Sequence, residues 1–406
     1  MRYFPTDAAT FGTIRRVSTV VDYVTLPQQQ EHSMGVSAQR DRRAEWSHGT
    51  RRAVLSLAVF EPYSGPRWPL GIQAGLAMGV PVAIGALVGE LGPGLLAATG
   101  GFTALHVTNL NTRERVRALP LVGLFLFATV VLASMLAPYP ALASVGLVVV
   151  TIIGAVLSFG YRMGAPGPMF VTLAYGLANH VTEVVDGERL VEPASLIGAV
   201  AAGILLALVI TAFPLARAAN RRLGVRRLQD VLPRFNLGRE GRELLLRVVA
   251  VAVLGTLISV TLVDPERAYW TVGAGVAVIG ARAGRGDAAR RGLHRIVGTC
   301  VGAGVYLFLG ALNLMPLELA LVLGALQFVI QLVVVRHYAL ALMFITPMVL
   351  LLTGAATGAG GSMGTLSERV IDTAIGAVLG TVSGLLHRRV KEAAPDANSA
   401  PTVATQ

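Results

Sequence analysis

Arg369 and Asp372 stand three residues apart in an apolar stretch near the end of the sequence. On a helix such positions share a face, and an ionisable side chain at membrane depth costs enough to mark either function or pairing. Two readings fit. In one, Arg369 attracts an anionic substrate and Asp372 takes up a proton; in the other, the two form a structural pair that anchors the helix near an interface. Arg162 and Arg336 each close an apolar run and either form a basic vestibule for anions or snorkel to headgroups as anchors. Arg282, His294 and Arg295 pose the same choice, His294 being able to titrate near neutral pH or simply to be solvated. Thr346-Pro347 falls inside a further run. There proline removes a backbone hydrogen bond, so the freed carbonyl and the Thr346 hydroxyl either line a path or mark a plain packing kink. Pro166 and Pro168 hold a similar place earlier in the chain. Gln327 and Gln331 present a polar stripe at i, i+4, as path lining or interhelical glue. Tyr269 and Trp270 open another run, as an interfacial aromatic belt or a stacking surface for an aromatic substrate.

None of this is a bond-making constellation. There is no HExxH and no Gly-Lys-Ser/Thr of a P-loop, and Lys391 is the single lysine. Cys300 is the one cysteine, which excludes an intrachain disulfide and points to a small packing residue. The residues imply no enzyme, no cofactor and no metal site. A net charge of +11 could suggest nucleic acid, but the arginines fall in blocks between apolar runs, which is a topological pattern; no nucleic-acid partner is expected.

Of 406 residues, 54% are hydrophobic and 14% charged, against about a quarter charged in soluble domains. Lipid is the expected solvent, and spans must then be helices of about 20 apolar residues. Candidates lie at 69–89, 93–107, 118–137, 141–160, 165–179 and 194–214, then at 244–263, 268–282, 294–312, 316–335, 338–356 and 369–387; the second, fifth and eighth are short. With a cytoplasmic N-terminus, inside segments carry 22 basic residues, the N-terminal tail not counted, and outside segments three, namely Arg189, Arg267 and Arg369. Since Lys and Arg near span ends set orientation, both termini are expected in the cytoplasm. Residues 1–66 read as a disordered basic cytoplasmic tail, with Met34 an alternative start, 390–406 as a second disordered cytoplasmic tail, and 215–243 as an Arg-rich cytoplasmic linker.

The two apolar blocks, 67–214 and 244–389, match each other. Arg162 and Met169-Phe170-Val171-Thr172 stand 174 residues before Arg336 and Met343-Phe344-Ile345-Thr346; Gly123 precedes Gly298 by 175, and Ile197-Gly198-Ala199-Val200 precedes Ile375-Gly376-Ala377-Val378 by 178. Six spans per copy put both copies in the same orientation. The fold expected is an all-α membrane protein of about 12 transmembrane helices in two parallel six-helix repeats, a plan under which transporters place substrate near the repeat interface. Small-residue faces such as Gly71, Gly75, Gly79 and Gly376, Gly380, Gly384 suit close helix packing.

Over 267–389 the sequence resembles the fusaric acid resistance (FUSC) family, related to aromatic acid exporters and more distantly to aluminium-activated malate transporters. The resemblance rests on Ala268-Tyr269-Trp270, Arg291-Gly292-Leu293-His294-Arg295-Ile296-Val297-Gly298-Thr299, Phe344-Ile345-Thr346-Pro347 and Glu368-Arg369-Val370-Ile371-Asp372-Thr373-Ala374-Ile375-Gly376. It implies small-molecule export or anion passage across a bacterial inner membrane. The chain lacks the large cytoplasmic domains of longer members, and Val191 and Ala194 stand where the first copy would repeat Arg369 and Asp372. The favoured function is proton-driven efflux of a small organic, aromatic-type anion; an anion channel and a non-transporting membrane scaffold or accessory are the alternatives. The partners expected are a small-molecule anion and membrane lipid, with two fused units able to act alone or as a homo-oligomer.

Overall fold

The computed structural model describes residues 51–386 apart from 52, 64, 165, 232–233, 281–283 and 358–362. Residues 1–50 with Met34, Arg282, and the C-terminal tail with Lys391 lie outside the described residues.

The described residues are mostly helical, with one short β-hairpin among them. In the first half the helices are α1 (Trp68–Val88), α2 (Leu91–Gly100, continued by a 3-10 turn to Leu105), α3 (Thr112–Leu136), α4 (Pro140–Gly160), α5 (Met169–Val181) and α6 (Pro193–Ala212). In the second half they are α7 (Arg239–Leu262), α8 (Ala268–Ile279), α9 (Arg285–Ala311), α10 (Pro316–Val333), α11 (Tyr338–Thr357) and α12 (Met363–Val382). Local chemistry sets many of these boundaries. Proline, which needs no hydrogen-bond partner in a first turn, opens α1, α4, α6 and α10. Gly89 closes α1 in the left-handed region at φ 82°. Asn111 caps α3 by accepting from the Glu114 N–H at 3.1 Å. The hairpin, β1 (Val184–Val185) paired with β2 (Glu188–Arg189), turns on Asp186 and Gly187, both at positive φ, as a two-residue turn requires.

Seven of the described helices are long and apolar enough to cross a membrane: α1, α3, α4, α6 with its extension to Ala216, α7, α9 from Gly286, and α10. Several present large apolar side chains outward, such as Leu205 on α6, Leu257 on α7 and Leu321 on α10, the surface that lipid would cover.

Helix contacts follow one pattern in both halves. α2 packs between α1 and α6, and α8 between α7 and α12; α3 packs on α5, and α9 on α11. Across the halves α1 lies on α10 and α4 on α7, while α2 meets α11 and α8 meets α5. The small faces make the seams. A Cβ on Gly75 would sit 2.8 Å from the Gly324 carbonyl oxygen of α10, so these backbones touch where no larger residue fits.

The short helices are interior elements. All 12 residues of α8 are buried. At about 1.5 Å per residue it is far too short to span hydrocarbon, so its last carbonyls need partners inside the protein. Arg291 of α9 supplies them, donating from Nε and Nη2 to the Ala277 carbonyl at 3.2 and 2.8 Å. At the end of α2 the same work falls to Arg115, which donates to the Ala104 and His106 carbonyls and, at 2.6 Å, to Gln73 Oε1.

Part of the expected N-terminal tail is instead bound structure. Residues 53–63 run along the ends of α9, α10 and α11: the Glu61 N–H donates to the Arg336 carbonyl at 2.8 Å, the Glu61 carboxylate contacts Arg290, and Phe60 packs its ring 4.9 Å from His337. Arginine-rich composition suggested solvation; specific partners on other helices override it.

Candidate functional site

Arg369 and Asp372 lie on the face of α12 that packs against α8, 4% and 1% exposed. The pairing that their spacing allows does not form. An arginine side chain on a helix leans toward the N-terminus, and here the guanidinium carbon lies 3.6 Å from the centre of the Trp270 ring, a cation–π contact. Arg369 Nε and Nη1 and both Asp372 carboxylate oxygens have no hydrogen-bond partner. Arg267, the neighbouring cation, is held at ion-pair distance by Asp264 (3.2 Å) and Glu368 (3.1 Å). Trp270 continues into Tyr269, ring centres 4.6 Å apart; the two are 9% and 5% exposed, so they form an internal aromatic wall rather than a surface belt. Arg295 lies within Coulombic reach of Arg369. The result is a buried cation without a direct carboxylate partner on an aromatic plate, an arrangement that can receive a carboxylate carried by a flat apolar body.

The other expected residues fall in separate places. His294 and Arg295 of α9 are buried at the N-terminal end of α11. His294 Nδ1 accepts the Ala339 N–H at 3.3 Å, and its other ring nitrogen lies 2.9 Å from Ser56 Oγ, which itself donates to the Ala53 carbonyl. His294 is therefore a neutral capping group, not a solvated one. His337 stacks on it at 5.4 Å and binds the Leu57 carbonyl. Arg295 donates to the Tyr338 hydroxyl at 3.1 Å. Gln331 accepts from Arg67 through its backbone and side-chain oxygens, whereas Gln327 Nε2 is unpartnered. Thr346 and Pro347 are buried inside α11, with Thr346 against Gly302 of α9. Arg162 and Arg336 are exposed. Cys300, expected as an internal packing residue, is exposed, because the face of α9 that meets α11 is the one carrying Gly298 and Gly302.

Several polar residues escaped the sequence reading. Arg247, fully buried on α7, donates to Ser383 Oγ at 3.2 Å and reaches the Gly380 carbonyl. The signal was present: Leu244, Val248, Val251 and Gly255 mark a buried stripe that position 247 joins. His180, Glu183 and Glu266 bring their ligand atoms within 4.8 Å of one another. The Glu266 carboxyl is held above its usual range by desolvation and by the charges of Glu183 and Asp264.

Apolar helices of spanning length, half-length helices buried between them and ionisable groups enclosed in the bundle define an all-α, multi-pass integral membrane protein. Residues 247–383 match the family model of fusaric acid resistance protein-like proteins, which bears out the resemblance over most of the stretch on which it was read. The chain is also 32% identical over 111 residues to the uncharacterized membrane protein YvaC of Bacillus subtilis (strain 168), a match that covers 27% of this chain and 17% of that protein. No solved structure matches the chain.

Proposed function

We propose that this protein is an inner-membrane transporter that exports a small organic anion of the aromatic-acid type, driven by the proton gradient. Arg369 would hold the carboxylate, Trp270 and Tyr269 the ring, and Asp372 the proton. The observation that carries the reading is the Arg369 guanidinium, buried, without a carboxylate in direct contact and centred over an indole ring. A structural anchor would have an acidic partner, since an unpaired buried charge costs several kcal/mol, on the order of 3–5.

The architecture under this reading is two parallel six-helix repeats, about twelve helices in the membrane, with both termini cytoplasmic. Its support is the matched helix pairings, the arginine that caps the interior helix in each half, and the 22-to-three bias of basic residues. Reporter fusions at Arg221 and Arg285 should therefore read as cytoplasmic, and a periplasmic signal at either would overturn the arrangement. Inverted vesicles containing the protein should accumulate a radiolabelled benzoate-type acid, and a protonophore should abolish the uptake. Uncoupled currents in planar bilayers would instead favour the channel reading, and neither activity would favour the scaffold.

A further inference from the structure

A hydroxyl inside an apolar helix ordinarily folds back onto the carbonyl one turn earlier. Thr129, Ser134, Thr182 and Thr211 all do so here, at 2.7–2.9 Å. Four hydroxyls in the second half do not. Thr256 and Ser259 of α7, Thr271 of α8 and Thr373 of α12 are at most 7% exposed, and their oxygens have no hydrogen-bond partner. With the two Asp372 oxygens they make six orphaned buried oxygen atoms on three helices that all pack on one another.

The helix register brings these residues into one stretch of the three-helix seam. Gly255, beside Thr256, faces Thr271 and Val272; Gly275, one turn along α8, faces Val251 of α7 and Gly376 of α12; Arg369 covers Trp270. α8 and α12 thus run the same way, with Gly376 beside Thr271–Gly275 and Gly380 beside Gly275–Val278, while α7 runs opposite. Ser259, Thr256, Thr271, Asp372 and Thr373 then fall within about two turns of one another on facing helices, one polar rung of the seam. Leaving so many buried polar atoms unsatisfied is costly, and a buried carboxylate without a hydrogen bond costs more.

The chemistry of the rung selects its occupant. Oxygen donors without nitrogen or sulfur suit a hard cation. Arg267, itself paired with Asp264 and Glu368, and Arg369 both act on Asp372 with positive charge, which makes the two charges of a divalent ion unfavourable beside this single carboxylate. A proton on Asp372 would neutralise the carboxylate but supply a donor to only one of the other oxygens. The glycine seams at Gly255 and Gly376 hold the helices close, which favours a small ion such as sodium over potassium.

We propose that Asp372, Thr373, Thr271, Thr256 and Ser259 form a sodium site between α7, α8 and α12. Its role rests on the transport reading, in which sodium competes with the proton for Asp372; its existence does not, because binding can be measured without transport. Sodium needs the ionised carboxylate, so its affinity rises with pH.

The test uses the purified full-length protein in detergent, with radioactive sodium as the probe and the thermal unfolding midpoint as a second readout. Saturable binding of about one ion per chain is expected, with a midpoint that rises in sodium chloride but not in choline chloride at equal ionic strength, as linkage requires. Thr271→Val and Asp372→Asn should each weaken binding at least about tenfold. In choline, Thr271→Val should unfold no earlier than the wild type, since it removes an unsatisfied hydroxyl at nearly constant volume. If Asp372→Asn does not fold, Ser259→Ala takes its place. Absence of saturable sodium binding, potassium binding of equal strength, or unchanged affinity in the variants overturns the site. Sodium binding without proton-driven uptake leaves the site standing and sinks the transport reading; uptake without sodium binding does the reverse.

Discussion

Arg369→Ala should lower uptake of a benzoate-type acid into inverted vesicles about 100-fold, the equivalent of about 3 kcal/mol for a charged hydrogen-bonded contact to a carboxylate. It should do so without loss of folded protein. The guanidinium makes no ion pair or hydrogen bond with a carboxylate, so alanine breaks no close pair and relieves the cost of burying a cation, and only the longer-range attraction to Asp372 is lost. The unfolding midpoint should therefore hold or rise. Arg369→Lys keeps the charge but loses the planar stack on Trp270, and an intermediate loss of about tenfold is expected. Uptake rates normalised to monodisperse protein decide the matter: a variant that misfolds yet transports normally per folded molecule would return Arg369 to the anchoring role that its position near the helix end suggests.

Gly376→Val should act in the opposite manner, through the fold. A Cβ at this position would collide with the Thr271 carbonyl oxygen and would stand 2.7 Å from Ala274 Cβ and 3.0 Å from the Gly275 nitrogen. These are backbone and methyl atoms of a fully buried helix, so no flexible side chain can yield. Overpacking of this kind costs about 3 kcal/mol, and here it would also part α8 from α12 at the proposed sodium rung. The expected result is an unfolding midpoint several degrees lower, with a loss of monodisperse protein in size-exclusion chromatography. Gly198 is the control. It matches Gly376 in the repeated Ile-Gly-Ala-Val segment, yet a Cβ there meets nothing within 4 Å. Gly198→Val should be silent, whereas equal damage from both substitutions would refute the seam argument.

That contrast shows where a repeated sequence stops being informative. Ile197-Gly198 and Ile375-Gly376 are the same pair of residues, but in the first half it is Gly203 that abuts Ala97 of α2, while Gly198 faces outward. Identity of type survives a small rotation of the helix; identity of contact does not.

Much of the helical layout was legible in the chain alone. Lipid leaves the backbone only helices, so length and hydropathy mark elements such as α1, α4 and α10, and Pro140, Pro193, Pro316 and Gly89 punctuate them through their own dihedral preferences. The ionisable residues that matter were also visible by type, Arg369 and Asp372 first. What only the tertiary structure decided was depth and partnership. Arg115, Arg247 and Arg291 counted alike as loop cations, yet Arg115 and Arg291 close the ends of interior helices and Arg247 is enclosed on α7. Arg369 could have joined Asp372, one turn away, and instead crosses to Trp270 on another helix. Residues 53–63, polar and unpatterned, found their order on His294, Arg336 and His337. The physical reason is common to all of them. Local sequence governs the backbone, whereas the reach of a long polar side chain spans the gap between helices, so its partner is chosen by which helices pack together.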